Sequence, residues 1–335
     1  MRADARYPGC LPPHDAGRMG APRGAPTMII LSVVPLFAVI LLGYALRKTA
    51  FLSSQTVGQL NAFVYYIALP VTIVLELLPV PLSEVSRVEL ILGYPLIVLV
   101  TAALVLVIAL PVPREQRGAL AQVSYRGNLA YFGLPIISVA IGPGSLGFIG
   151  ILIGIGLVIN VVLSIVILTI LGPGERRSTV RGHLAAIATN PLIIATMIGA
   201  VGSLSGVSLP APAHRALALV GQTSLPLVLI VVGYSLSFRG MRGRLGLGLF
   251  GATVKLVLMP TIALALMAWP FGATGMARDV VVLMAAMPTA AVSQSFAVAF
   301  GADEELTAAG LSLNNLLCMV TVPIWLVLLQ GPLAT

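Results

Sequence analysis

From Met28 onward the chain is a succession of apolar runs separated by short polar connections. Ten of them are of spanning length, about 20 residues. They cover 28–46, 57–78, 89–110, 119–141, 146–171, 183–204, 214–237, 246–269, 278–300 and 306–330. The runs are continuous rather than alternating, which predicts transmembrane helices and disfavours a membrane β-barrel. Two runs are interrupted. Gly127-Asn128-Leu129-Ala130-Tyr131-Phe132-Gly133-Leu134-Pro135 lies in the fourth, and Met287-Pro288-Thr289-Ala290-Ala291-Val292-Ser293-Gln294-Ser295 lies in the ninth. In hydrocarbon an unpaired peptide group costs several kcal/mol, so broken backbone belongs where it faces protein or a wet cavity. A pair of such breaks in corresponding places predicts a transport site near the membrane midplane.

Composition agrees with a polytopic membrane protein. Of 335 residues 58% are apolar and only 9% charged, against about 25% charged in soluble domains, and the mean hydropathy is +1.04. The net charge of +8 marks orientation rather than nucleic-acid binding. Loops after the first, third, fifth and seventh runs carry Arg47, Lys48, Arg114, Arg117, Arg176, Arg177, Arg181, Arg239, Arg242 and Arg244. The opposite loops carry only Arg87, Arg215 and Arg278. The positive-inside rule then places both termini outside and the 172–182 loop in the cytoplasm. Residues 1–27, rich in Pro, Gly and Arg, read as a disordered tail or as sequence ahead of a true start at Met28.

A duplication is legible. Pro35 and Pro191 lie 156 residues apart, as do Leu69-Pro70 and Leu225-Pro226. Pro95 and Pro260 are 165 apart, Gly142 and Gly301 are 159 apart, and Asn160 and Asn314 are 154 apart. Five spans per half is an odd number, so the second half must insert upside down. The predicted fold is therefore all-α, with ten transmembrane helices in two inverted five-helix repeats, 28–171 and 183–330. The fourth and ninth helices are broken and cross.

Candidate chemistry gathers at the breaks. Pro135 removes an amide donor, and Gly133 relaxes the local dihedrals. Asn128 can donate and accept, and freed amides at the start of the following half-helix suit an anion. In the second break Pro288, Thr289, Ser293 and Gln294 supply equivalent groups. A proline kink whose polar neighbours only patch free carbonyls is the competing interpretation. Asn160 and Asn314 punctuate otherwise apolar spans, either as interhelical hydrogen bonds or as parts of the site. Charged residues within spans are expensive and usually functional. Arg126 could snorkel to the cytoplasmic interface or bind substrate. Lys255 could pair with Glu76, approach an anion or reach the interface. Glu76 fits an interfacial acid or a proton-coupling group.

No HExxH, GxSxG or phosphate-binding loop occurs, and His14, His183 and His214 are scattered, as are Cys10 and Cys318. These absences argue against an enzyme, a metal site and any cofactor. Neither break holds a carboxylate, which disfavours cation exchange.

Several stretches resemble the auxin efflux carrier family. They are Val34-Pro35-Leu36-Phe37, Leu42-Gly43-Tyr44-Ala45-Leu46-Arg47-Lys48, Leu60-Asn61-Ala62-Phe63-Val64-Tyr65-Tyr66-Ile67-Ala68-Leu69-Pro70 and the 127–135 segment. Later matches are Asn190-Pro191-Leu192-Ile193-Ile194, Lys255-Leu256-Val257-Leu258-Met259-Pro260 and Met287-Pro288-Thr289-Ala290-Ala291. The resemblance covers about residues 30–330 and is similar to the bacterial malonate and malate permease branch. It implies a scaffold and a mobile transport domain, and places Asn128, Asn160 and Pro288 at substrate-site positions. Where plant exporters carry an Asn near the second crossover, this chain has Thr289, Ser293 and Gln294. The expected function is a secondary carrier of a small organic anion in the plasma membrane, with the bilayer as its other partner and homodimerisation open. The alternatives are a sodium-coupled symporter of the bile-acid type and, from another class, a membrane receptor or sensor.

Overall fold

The computed structural model describes residues 26–49, 51–80, 87–171, 188–235 and 242–330. The expected tail (through residue 25) and the 172–182 loop lie outside the described residues, as do Arg176, Arg177, Arg181 and Arg239. The described chain is helical, without strands. Its helices are α1 (Pro26–Lys48), α2 (Ser54–Leu77), α3 (Glu89–Ile108), α4 (Arg114–Tyr125), α5 (Leu129–Ile141) and α6 (Leu146–Leu171). They continue with α7 (Pro191–Leu204), α8 (Ala211–Ser235), α9 (Leu245–Ala268), α10 (Gly275–Ala286), α11 (Val292–Phe300) and α12 (Glu304–Gln330). Among the described residues six helices, α2, α3, α6, α8, α9 and α12, are long and apolar enough to cross a membrane, and α5 and α7 are shorter apolar helices.

Prolines shape these helices without ending most of them. A wide π-type turn immediately precedes Leu69-Pro70, Tyr94-Pro95, Leu134-Pro135 and Met259-Pro260. In three of them a backbone hydrogen bond spans five residues: Leu69 N to Val64 O, Leu134 N to Leu129 O and Met259 N to Val254 O. Proline lacks an N–H and crowds the carbonyl four residues back, and the wider turn relieves that conflict while the helix continues. This corrects one expectation. The fourth run does not break at Pro135, which sits in the first turn of a helical segment; it breaks upstream at Arg126–Asn128, between α4 and α5.

Helix pairing is reciprocal between the halves. α1 packs along α8, and α7 packs along α2. Likewise α3 packs on α4 and α6, and α9 on α10 and α12, while α4 meets α12 and α10 meets α6. The α1–α8 contact is a glycine crossing. A Cβ on Gly43 would meet the Ile230 carbonyl, and one on Gly233 the Ile40 carbonyl. Small residues that let backbones approach are the usual adhesive between helices in lipid. The largest buried side chains, Tyr94, Tyr125, Phe132 and Lys255, cluster instead around the two breaks.

Candidate functional site

The two broken spans meet backbone to backbone. Gly127 and Thr289 form an isolated antiparallel bridge. Asn128 N donates to Pro288 O at 2.8 Å, and Ala290 N donates to Arg126 O at 3.0 Å. Each break thus satisfies peptide groups of the other, which removes the principal cost of unwound backbone in a membrane. Gly127 fits this crossing tightly: a Cβ there would lie 3.2 Å from Leu129 Cδ2, 3.3 Å from Tyr94 Oη and 3.5 Å from Lys255 Nζ.

Side chains lock the half-helix ends. Asn128 Oδ1 accepts from Tyr131 N at 3.1 Å and caps α5; one of the amides expected to face an anion is therefore already taken. Val123 O, in the last turn of α4, accepts from Thr289 Oγ1 at 2.7 Å and from Asn314 Nδ2 at 3.4 Å. Asn314 Nδ2 also reaches Gly310 O at 2.9 Å. Gly133 is a packing glycine, since a Cβ would fall 2.6 Å from Met284 Sδ on α10.

Arg126 does not snorkel. It is 2% exposed, and its guanidinium lies over the Phe296 ring, 4.2 Å from the centroid. Nη1 donates to Ser164 Oγ at 3.1 Å and to Gln122 Oε1 at 3.3 Å. Ser164 Oγ in turn donates to Asn160 O and lies 2.9 Å from Tyr125 Oη. The side chain turns inward because α4 ends at residue 125, so Arg126 leaves from extended backbone toward α6 and α11. Tyr65 of α2 is within its electrostatic reach and also accepts from Asn190 Nδ2 at 2.9 Å.

Lys255 is 0% exposed. Its ammonium donates to Ala285 O near the end of α10 and lies 3.3 Å from Met259 Sδ. The expected alternatives of pairing with Glu76 or reaching the interface are both corrected: α9 buries Lys255 against the crossover. The ion pairs among the described residues are Arg87–Glu89, Arg244–Asp303 and Arg278–Asp279. Neither Arg126 nor Lys255 has a carboxylate partner there.

The remaining expectations divide. Asn160 is buried, and its side chain and the Tyr94 hydroxyl are directed at each other. Ser293 is buried with an unpaired Oγ. Gln294 turns away from the crossover, its Nε2 reaching Glu304 O at 3.3 Å. Glu76 sits half-buried on α2, within electrostatic reach of His214, and joins no contact of the crossover. Three residues that matter here were not singled out from sequence: Tyr94, Ser164 and Phe296. Tyr94 carried a signal, a hydroxyl beside Pro95; Phe296 and Ser164 looked like ordinary lining of apolar helices.

No group of three or more His, Cys, Asp or Glu among the described residues could hold a metal ion. What the crossover offers is hydrogen-bond donors, helix ends and two buried cationic side chains.

Residues 28–326 match the family described as membrane transport protein. The chain is 23% identical over 298 residues to a protein of Rhizobium meliloti named "Putative malonate transporter", covering 87% of this chain and 92% of that one. An "Uncharacterized transporter" of Methanothermobacter thermautotrophicus is 26% identical over 310 residues, covering 90% and 98%. A further uncharacterized transporter, from Methanocaldococcus jannaschii, is 22% identical over 311 residues, covering 89% and 98%.

Proposed function

The chain belongs to the membrane transport protein family, that of the auxin efflux carriers, and from that premise we propose that it is a secondary carrier of a small organic anion such as a mono- or dicarboxylate. The observation that carries this reading is Arg126. An arginine stays charged in a protein, and a buried charge without a counter-ion costs several kcal/mol. The Phe296 ring offsets about 2 kcal/mol of that, and two neutral acceptors offset more. A substrate carboxylate supplies the missing negative charge. Arg126 binds it through guanidinium donors left free by Gln122 and Ser164, with Asn128 positioning it at the crossover. The relative named for malonate supports a carboxylate.

Reciprocal packing of the helices supports two inverted five-helix repeats, 28–171 and 183–330, with the 172–182 loop cytoplasmic. Helices α1, α2, α7 and α8 then form the scaffold, and the crossing helices with α3, α6, α9 and α12 form the moving unit. One departure from reciprocity supports alternating access. α5 packs on α1 and α8, whereas α11 packs on α12, α4 and α6 without comparable contact to α7 or α2 among the described residues. The exposed face of α11 ends near Arg244, which pairs with Asp303 just past that helix, the cytoplasmic side by loop charge.

Uptake of labelled malonate into proteoliposomes tests the proposal. Arg126→Gln, which removes the charge and leaves an amide donor on a shorter side chain, is expected to lose at least about tenfold in uptake, the equivalent of 1.4 kcal/mol, while remaining folded and monodisperse. Unchanged uptake by that variant would remove Arg126 from the site.

A further inference from the structure

The two half-helix ends at the crossover occupy equivalent positions but are held differently. Gly127 pairs with Thr289; four residues before each stand Val123 and Ala285. The Val123 carbonyl is met by neutral groups, the Thr289 hydroxyl and the Asn314 amide. The Ala285 carbonyl is met by the ammonium of Lys255. Carbonyls in the last turn of a helix lack intrahelical donors and carry the negative end of the macrodipole. Exposed at the membrane midplane, such an end is where ion-coupled carriers coordinate a metal cation or proton.

We infer that the Lys255 ammonium is a tethered cation occupying the cation position at the end of α10, so that the carrier needs no sodium ion there. Three observations converge on it. Lys255 is fully buried on an apolar helix. No carboxylate among the described residues pairs with it. The groups that meet the ammonium are neutral acceptors rather than a counter-ion: the Ala285 carbonyl and the Met259 thioether, with the open side of Gly127 alongside. While it is protonated, Lys255 leaves the charge of the moving unit constant, so the substrate anion alone changes it.

This role presupposes the carrier proposed above, but its test uses no organic anion, so the two can fail separately. Thermal unfolding of the purified protein is followed in chloride salts of sodium, methylammonium and choline at equal ionic strength. The wild type is expected to melt at the same temperature in all three. Lys255→Ala opens a cavity with the Ala285 carbonyl exposed; it should melt lower in choline and regain about 3 °C or more in sodium or methylammonium, as a bound ligand stabilises. Lys255→Met fills the same space without charge and should melt lower with no recovery in any salt. Sodium-specific stabilisation of the wild type would overturn the inference. So would an alanine variant indifferent to all three salts or unable to fold in any of them, or a methionine variant as stable as wild type. Loss of malonate uptake by Arg126→Gln would stand under every one of these outcomes.

Discussion

The two broken spans are built on one plan and finished differently. Each unwinds for three to five residues, pairs with the other through Gly127 and Thr289, and resumes as a short helix. The first resumes through a side-chain cap, Asn128 to Tyr131 N, and its second half packs on α1 and α8. The second resumes at Val292 with no side-chain cap, and one face of α11 is exposed. The first half-helix end is closed by hydroxyl and amide, the second by an ammonium. Symmetry of backbone with asymmetry of side chains gives one crossover two chemical faces, and it leaves one span anchored and the other free along one flank.

The sharpest way to break this comparison is at the cap. Asn128→Ala is expected to abolish malonate uptake while the protein still inserts and folds. Loss of a helix cap costs only about 1 kcal/mol of stability, so binding and folding separate. Cross-linking or size-exclusion behaviour like that of the wild type, together with uptake at background, is the expected pair of results. Normal uptake would move the site elsewhere.

Outside the crossover, the two reciprocal packings α1–α8 and α2–α7 offer the next largest effect. At Gly233 a methyl meets the Ile40 backbone, which cannot yield without separating the helices. Gly233→Ala should therefore cost about 3 kcal/mol, the upper part of the range for overpacking. At Gly202 on α7 the obstacle is the far end of the Leu78 side chain, which can rotate. Gly202→Ala should cost less than about 1 kcal/mol, since alanine's better helix propensity works against a small repacking. Equal losses measured by thermal or denaturant unfolding would deny that backbone contact distinguishes the two.

Much of this arrangement was legible from residue types. Apolar runs located the helices, and Pro288-Thr289 located the second break. Asn128 stood out because an amide in an apolar span needs a reason. Pro135 misled by one turn: proline was read as the break, whereas the π-type turn at 129–133 absorbs it and the unwound residues lie before it. Arg126 and Lys255 could not be placed from sequence because depth along a helix does not say which way a long side chain leaves it. Only the end of α4 at residue 125 turns Arg126 inward, and only the packing of α9 on α10 brings Lys255 to Ala285. Phe296 was invisible for a different reason: an aromatic residue in a lipid-like helix carries no mark of a cation above its ring.

A smaller effect tests the first half-helix end. Thr289→Val keeps the shape and removes the 2.7 Å bond to Val123 O, leaving that buried carbonyl with Asn314 at 3.4 Å. A loss of about 1–2 kcal/mol is expected, because a buried acceptor is left poorly satisfied. Thr289→Ser retains the hydroxyl and should recover most of it. If valine proved neutral in unfolding experiments, the two ends would not differ in how much their closing groups matter.

The smallest expected effect concerns the anchoring of one span and not the other. Tyr131 Oη donates to Asn61 Oδ1 of α2 at 2.9 Å at an exposed site, tying the first resumed helix to the neighbouring unit. Ser293, at the matching stage of the second, is buried with no partner for its hydroxyl. Tyr131→Phe should lower stability by about 0.5–1 kcal/mol, the net value of one hydrogen bond, a shift of roughly 1–3 °C in melting temperature. Ser293→Ala should cost nothing or raise stability slightly, since it removes a desolvated and unpaired hydroxyl. A loss at Ser293 equal to that at Tyr131 would mean that its hydroxyl finds a partner in the folded protein, and α11 would then be held as firmly as α5.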